Sequence, residues 1–135
     1  GEMRDNIYEI VKDTVYKYKT SNPFEICKKL GIKIDYVNYG KAIILDSKII
    51  KINKKYTEYS RYVLCAHELG HAILHKEDCL NYFDDSNTLE KIEKDRQANL
   101  FAAYLLFEDD GEIKFENMNS DMIYKFIESH LHEVI

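Results

Sequence analysis

The chain has 135 residues, of which 45% are hydrophobic and 32% are charged. This size and balance predict one folded domain, spanning residues 1–135, and exclude a wholly disordered chain. With 19 basic and 24 acidic side chains the net charge is -5, so the average field repels a phosphate backbone. Nucleic acid is therefore not expected as a direct partner.

The cysteines and the hydropathy pattern indicate where the protein resides. Cys27, Cys65 and Cys79 are odd in number and lack Cys-x-x-Cys spacing, which disfavours a disulfide framework and a thiolate zinc knuckle. No run of about 18 apolar residues is present, and no apolar signal core lies near the N-terminus. The sequence therefore predicts a cytoplasmic protein that makes no membrane contact.

The first half of the chain reads as two helices followed by strands. Apolar residues spaced by three and four predict an amphipathic helix over Arg4–Tyr18. Asn22 and Pro23 are typical of the start of a second helix, and Gly31 of its end. Three short runs rich in Ile, Val and Tyr then predict a small antiparallel three-stranded sheet. These runs are Ile32–Val37, Lys41–Asp46 and Lys48–Asn53.

The second half returns to helical periodicity, which gives an α+β fold of helices packed with one small sheet. A helix is predicted first, then a polar loop, then a second long helix that ends at an Asp-Asp-Gly break. A last helix is predicted to be capped near Ser120. The bounds are Thr57–His75 for the first of these helices, Lys76–Asn87 for the loop, Thr88–Phe107 for the second helix and Asp109–Gly111 for the break.

The sharpest motif is His67-Glu68-x-x-His71, which lies within a predicted helix. Chance placement gives about 0.02 such motifs in a chain of this composition. Histidines four residues apart lie one helical turn apart and can reach one ion. Two imidazoles leave Zn²⁺ open to water, whose pKa the metal lowers, and Glu68 can then take the proton. The non-functional alternative is a helix with polar side chains at these positions and no metal.

A catalytic zinc site needs a third protein ligand, and the next long helix offers Glu90, Glu93 and Asp95. Asp95 is preferred because Asn99 lies four residues later on the same face. One of this pair can bind the metal while the other hydrogen-bonds a ligand histidine. Glu93 is the next choice, and either acid can instead be a solvated charge.

Other candidate residues near the motif or on later helices are considered for supporting roles. His75 lies one turn beyond His71, but its direction is rotated by roughly 80° from His67, which favours a supporting or helix-capping role over ligation. Cys65 is more often a small buried apolar group than a ligand. The donor to the transition-state oxyanion is left unassigned. Its candidates are Tyr104, His130 and His132.

Three segments together resemble the ImmA/IrrE family of metallo-endopeptidases, which are bacterial and phage-associated proteins. The resemblance runs from Asn22 to about Leu106. It consists of Asn22–Ile26 with Leu30–Ile32, of Ala66–His71 with Leu74-His75, and of Gln97–Leu106.

The resemblance implies a zincin-like, specifically gluzincin-like, site on two helices. Its third ligand is an acid four residues before the Asn of the Ala-Asn-x-Phe-Ala run, which is Asp95 here where the family usually has Glu. The family's proline after Leu-Leu is replaced by Phe107. Relatives commonly cleave a helix-turn-helix repressor encoded beside them, so a repressor of a phage or mobile element is the expected partner. The alternative is a module that sequesters a repressor or toxin without cutting it.

Overall fold

The computed structural model describes residues 2–76, 89–107 and 115–131, with side chains from Ile7 onward. These ranges contain five helices, three strands and a short 3₁₀ turn at Phe115–Asn117. The fold is α+β, as predicted. The helices are α1 Glu2–Tyr18, α2 Pro23–Leu30, α3 Glu58–Leu74, α4 Leu89–Leu106 and α5 Ser120–His130, and the strands are β1 Lys33–Val37, β2 Ala42–Leu45 and β3 Ile49–Asn53.

Local chemistry sets both ends of α2. The Asn22 side chain accepts hydrogen bonds from the backbone N–H groups of Phe24 and Glu25, at 2.9 and 3.4 Å. Pro23 occupies the start of the helix, where a backbone N–H would have no partner within the helix, so proline costs no hydrogen bond there. Gly31 ends it with a φ of 78°, the left-handed conformation that glycine adopts without strain. The predicted start and end of this helix are confirmed.

The sheet is mixed, and the prediction of an antiparallel sheet was wrong. β3 lies in the centre, paired antiparallel with β2 and parallel with β1. Each connection reverses the chain, so β1 and β3 run in the same direction, and pairing them directly makes a parallel ladder. β3 takes the centre because Ile50 and Ile52 are fully buried, whereas most of β1 and β2 is partly exposed.

The candidate site residues lie on the helix pair α3 and α4, whose separation depends on Gly70. A Cβ atom at Gly70 would lie 3.1 Å from the backbone oxygen of Ala98 and 3.1 Å from Cβ of Phe101. The missing side chain therefore lets the two backbones approach closely. The core surrounds this contact, and its largest fully buried side chains include Ile7, Ile26, Ile50, Ile52, Val63, Leu69, Leu100, Phe101, Phe115, Ile123, Ile127 and Leu131.

Gly70→Val is expected to lower the free energy of unfolding by about 1–3 kcal/mol, because the added methyl groups push against the backbone of α4. Urea unfolding followed by circular dichroism measures the change. Asp13→Val, at an exposed position of α1, is the control for the helix propensity of valine. A Gly70→Val protein as stable as this control would contradict the close approach of the helices.

Several predictions concern segment ends. Asn119 caps α5 through a 2.9 Å bond from the N–H of Met122, one residue before the predicted position. The predicted loop after Lys76 and the predicted break at Asp109–Gly111 lie outside the described residues.

Within the described ranges, no helix is both long enough and apolar enough to cross a membrane.

Candidate metal centre

α3 places two imidazoles side by side. Thr57 caps the helix, and His67 and His71 follow on one face, a single turn apart. Their Nε2 atoms lie 3.1 Å apart, and their ring centroids 4.7 Å apart. Both nitrogens therefore point to the same small volume beside the helix.

Asp95 on α4 supplies an oxygen to the same volume. Its Oδ1 lies 3.1 Å from Nε2 of His71 and 3.9 Å from Nε2 of His67. In a tetrahedral zinc site, ligand atoms are about 3.3 Å from one another, given metal–ligand distances of about 2.0–2.2 Å. Among the described residues, this is the group of His, Cys, Asp and Glu whose ligand atoms could hold one ion.

Asn99, one turn after Asp95 on α4, controls the tautomer of His67. Its Nδ2 donates to the backbone oxygen and Oγ of Ser120, at 3.2 and 2.5 Å, which leaves Oδ1 to accept from His67 Nδ1 at 2.7 Å. The hydrogen of His67 is therefore on Nδ1, and its Nε2 lone pair faces Asp95 and His71. The lone pair of His67, a nitrogen of His71 and a carboxylate oxygen meet there, an arrangement that suits a divalent cation.

Burial shifts the pKa values of two neighbouring groups on α3, His67 and Glu68. Burial, with a smaller contribution from His71, lowers the pKa of His67 to about 4. The imidazole is therefore neutral near pH 7, which is the form that binds metals. Burial also raises the pKa of Glu68 to about 7, against the opposing effect of His71. A carboxyl group whose pKa lies near neutrality suits a general base.

The other predicted acids on α4 are engaged elsewhere. Oε1 of Glu93 lies 3.5 Å from Nη1 of Arg96, and Oε1 of Glu90 lies 2.6 Å from Nζ of Lys94. Neither carboxylate joins the group of three ligand atoms. Of the acids considered from the sequence, the structure brings only Asp95 to the two histidines.

Residues 27–131 match the peptidase family described as the IrrE N-terminal-like domain. The chain belongs to this family. "Uncharacterized immunity region protein 2" of Bacillus phage phi105 is 34% identical over 106 residues, which cover 73% of this chain and 66% of the relative. "Metallopeptidase ImmA" of Bacillus subtilis is 36% identical over 109 residues, which cover 73% of this chain and 62% of the relative. The matches thus span less than two thirds of each relative. No solved structure matches the chain.

Membership of this peptidase family implies a divalent metal. Among the described residues, His67, His71 and Asp95 form the group whose spacing fits it. The chemistry of the donor set agrees, since two imidazole nitrogens and one carboxylate oxygen are typical of a catalytic zinc site with an open position.

His75 lies behind His71 and not among the three ligand atoms. It caps the C-terminus of α3, and its Nδ1 lies 3.0 Å from Nδ1 of His71. Its Nε2 lies 2.7 Å from Oε1 of Gln97 on α4. Gln97 was not singled out from the sequence as a site residue, because a lone glutamine carries no motif of its own.

An open cleft of about 480 Å³ borders the group, within the usual range for ligand-binding sites. Lys41 and Tyr124 form part of its wall, and the Lys41 ammonium lies 4.5 Å from the centre of the Tyr124 ring. Sequence reasoning missed both, because they lie far from the motif along the chain. The cleft is lined by Lys41, Ala42, Leu64, His67, Glu68, Asp95, Asn99, Ser120, Asp121 and Tyr124.

Of the predicted candidates for the oxyanion donor, the two described ones, Tyr104 and His130, do not line this cleft. The His130 ring stacks on Phe126 with centroids 4.2 Å apart, and the Tyr104 hydroxyl lies 3.4 Å from Oε2 of Glu116. His132 lies outside the described residues. The oxyanion donor therefore stays unassigned.

The cysteines of α2 and α3 are predicted to resist modification in the folded protein. Cys27 and Cys65 are fully buried, with their sulfur atoms 3.9 Å apart. The contact with Cys27, followed by burial, raises the pKa of the Cys65 thiol, and a protonated thiol is a poor nucleophile. In a Cys79→Ser background, iodoacetamide should label neither residue until urea unfolds the chain. Mass spectrometry of the labelled protein checks this, and rapid native labelling would contradict the packing of α2 on α3.

Proposed function

We propose that this chain is a zinc-dependent endopeptidase in which His67, His71 and Asp95 hold the metal and Glu68 is the general base. The observation that carries the proposal is the convergence of the three ligand atoms, 3.1–3.9 Å apart, on α3 and α4. The buried Glu68 carboxyl lies on α3, the helix that carries both histidines, and it lines the cleft beside the three ligand atoms.

The residues have separate tasks in this proposal. Zinc, when bound, supplies a water of lowered pKa and polarises the substrate carbonyl. Glu68 takes the proton of the attacking water and passes it to the leaving amine. Asn99 holds His67 with its Nε2 lone pair directed at the site.

An extended polypeptide is the substrate class that the cleft favours. Among the described strands, β2 lies at the edge of the sheet, and Ala42, its first residue, lines the cleft. An unpaired strand edge presents backbone donors and acceptors that an extended segment can pair with. A substrate bound in this way would enter the cleft that Glu68 also lines.

We further propose that the substrate is a cytoplasmic helix-turn-helix repressor of a phage or mobile element. The names of the relatives support this class, since one is an immunity region protein of a phage and the other a metallopeptidase. The acidic net charge of -5 fits a protein that acts on the repressor and not on its operator.

The test is incubation of the zinc-loaded protein with the repressor encoded beside its gene, followed by intact-mass measurement. Two fragments whose masses add up to the repressor plus one water are expected. The Glu68→Gln protein should yield none. A stable complex with an uncut repressor would overturn the endopeptidase proposal and favour a sequestering module instead.

A further inference from the structure

His71 lies at one end of a chain of hydrogen bonds that leads away from the ligand atoms. Its Nδ1 lies 3.0 Å from Nδ1 of His75, and Nε2 of His75 lies 2.7 Å from Oε1 of Gln97. His75 is only 8% exposed, and Gln97 stands on α4 two residues after Asp95. The chain thus connects the end of α3 to the helix that carries the third candidate ligand.

Each link determines where one hydrogen lies. An amide oxygen only accepts, so Nε2 of His75 carries the hydrogen shared with Gln97. With each of the two rings carrying a single hydrogen, Nδ1 of His75 accepts in the contact with His71. The donor to it is Nδ1 of His71. The remaining nitrogen of His71, Nε2, is left with its lone pair facing Asp95.

We propose that Gln97, acting through His75, is a positioning residue that holds His71 in the tautomer required for metal binding. His71 would then be fixed through an imidazole and an amide, as His67 is fixed directly by the amide of Asn99. Both Nε2 lone pairs and the Asp95 carboxylate would face one another without a hydrogen between them. A cation relieves this repulsion, so the site is organised for the metal before it binds.

This inference deepens the proposed function, because it assigns a role at the same metal site. The competing explanation is that Gln97 only ties α3 to α4 by packing. The two differ in what the side chain at position 97 must offer, since the relay needs an acceptor oxygen and packing needs only volume. Zinc affinity and histidine tautomer separate them without any assay of cleavage.

The first test measures zinc affinity by competition with a chromogenic chelator. Gln97→Leu keeps similar bulk but has no acceptor, and it is expected to weaken zinc binding about 10–100-fold, as loss of an outer hydrogen-bond partner does. Gln97→Glu restores an acceptor and should bind zinc at least as tightly as the unmodified protein. Glu90→Gln, at an exposed position of the first turn of α4, is the control and should bind unchanged. Equal affinity of the Leu and Glu variants would overturn the proposal.

The second test reads the tautomer directly by nitrogen-15 NMR of the histidine rings after the metal has been removed with a chelator. The unmodified protein should show His71 with its hydrogen on Nδ1, and Gln97→Leu should show a mixture of tautomers. A hydrogen on Nε2 of His71 in the unmodified protein would refute the relay, even if the variants failed to fold. Urea unfolding reports the stability of each variant separately.

These outcomes are distinguishable from failure of the proposed function. Zinc affinity and tautomer do not depend on peptide hydrolysis. An uncut repressor would remove the peptidase assignment and leave the relay standing. Unchanged affinity and tautomer would remove the relay and leave the peptidase assignment standing.

Discussion

Glu68→Gln is expected to lower kcat for repressor cleavage by about 10²–10⁴-fold, the usual contribution of a general base. Glutamine keeps the size and most of the polarity of the side chain but cannot take a proton. Zinc content should stay unchanged, because Glu68 is not among the three converging ligand atoms. Cleavage rates from intact-mass time courses, together with metal analysis of the same samples, measure both effects.

Glu58→Gln is the matched control, since Glu58 is exposed in the first turn of the same helix. It should cleave at the rate of the unmodified protein. A Glu68→Gln protein that retains normal cleavage would show that another group takes the proton. Loss of zinc from Glu68→Gln would instead mean that this carboxyl helps to hold the metal.

Asp95→Ala is expected to weaken zinc binding by at least about 10²-fold, more than the loss of an outer hydrogen-bond partner costs. Removal of this carboxylate leaves two imidazoles as the protein ligands and takes away the negative charge of the group. Competition with a chelator of known affinity measures the change. Cleavage should fall together with zinc occupancy.

Two further variants make this experiment decisive. Glu93→Ala should bind zinc normally, because the Glu93 carboxylate faces Arg96 at 3.5 Å. Asp95→Glu keeps a carboxylate, and the family resemblance implies Glu at this position, so it should restore most of the affinity lost in Asp95→Ala. If Glu93→Ala lost zinc and Asp95→Ala did not, the third ligand would have to be reassigned.

The candidate ligands could be predicted from the sequence because the relevant distances are local. Residues four apart on a helix lie on one face whatever the rest of the chain does, which places His67 beside His71 and Asp95 beside Asn99. The same periodicity favoured Asp95 over Glu93 but left both open, and the packing of α4 on α3 places only the Asp95 carboxylate at the two histidines. The side chain of the first faces α3, and that of the second faces Arg96.

The strand order could not be predicted in this way. All three strand segments were located correctly, but their pairing depends on which strand is most deeply buried and therefore central. That strand is β3, in which Ile50 and Ile52 are fully buried. Alternation along a single strand carries little information about its neighbours, so β1 was assigned the wrong pairing direction.

The sequence by itself determined the helices, the start and end of α2 and the motif His67-Glu68-x-x-His71, since these depend on backbone propensities and periodicity within a few residues. Only the tertiary structure decided what meets the motif. Gly70 brings α4 close enough for Asp95 to approach, and Gln97, Lys41 and the rim of the cleft join from segments remote in sequence. Such contacts depend on how helices and sheet pack together, which no local pattern encodes.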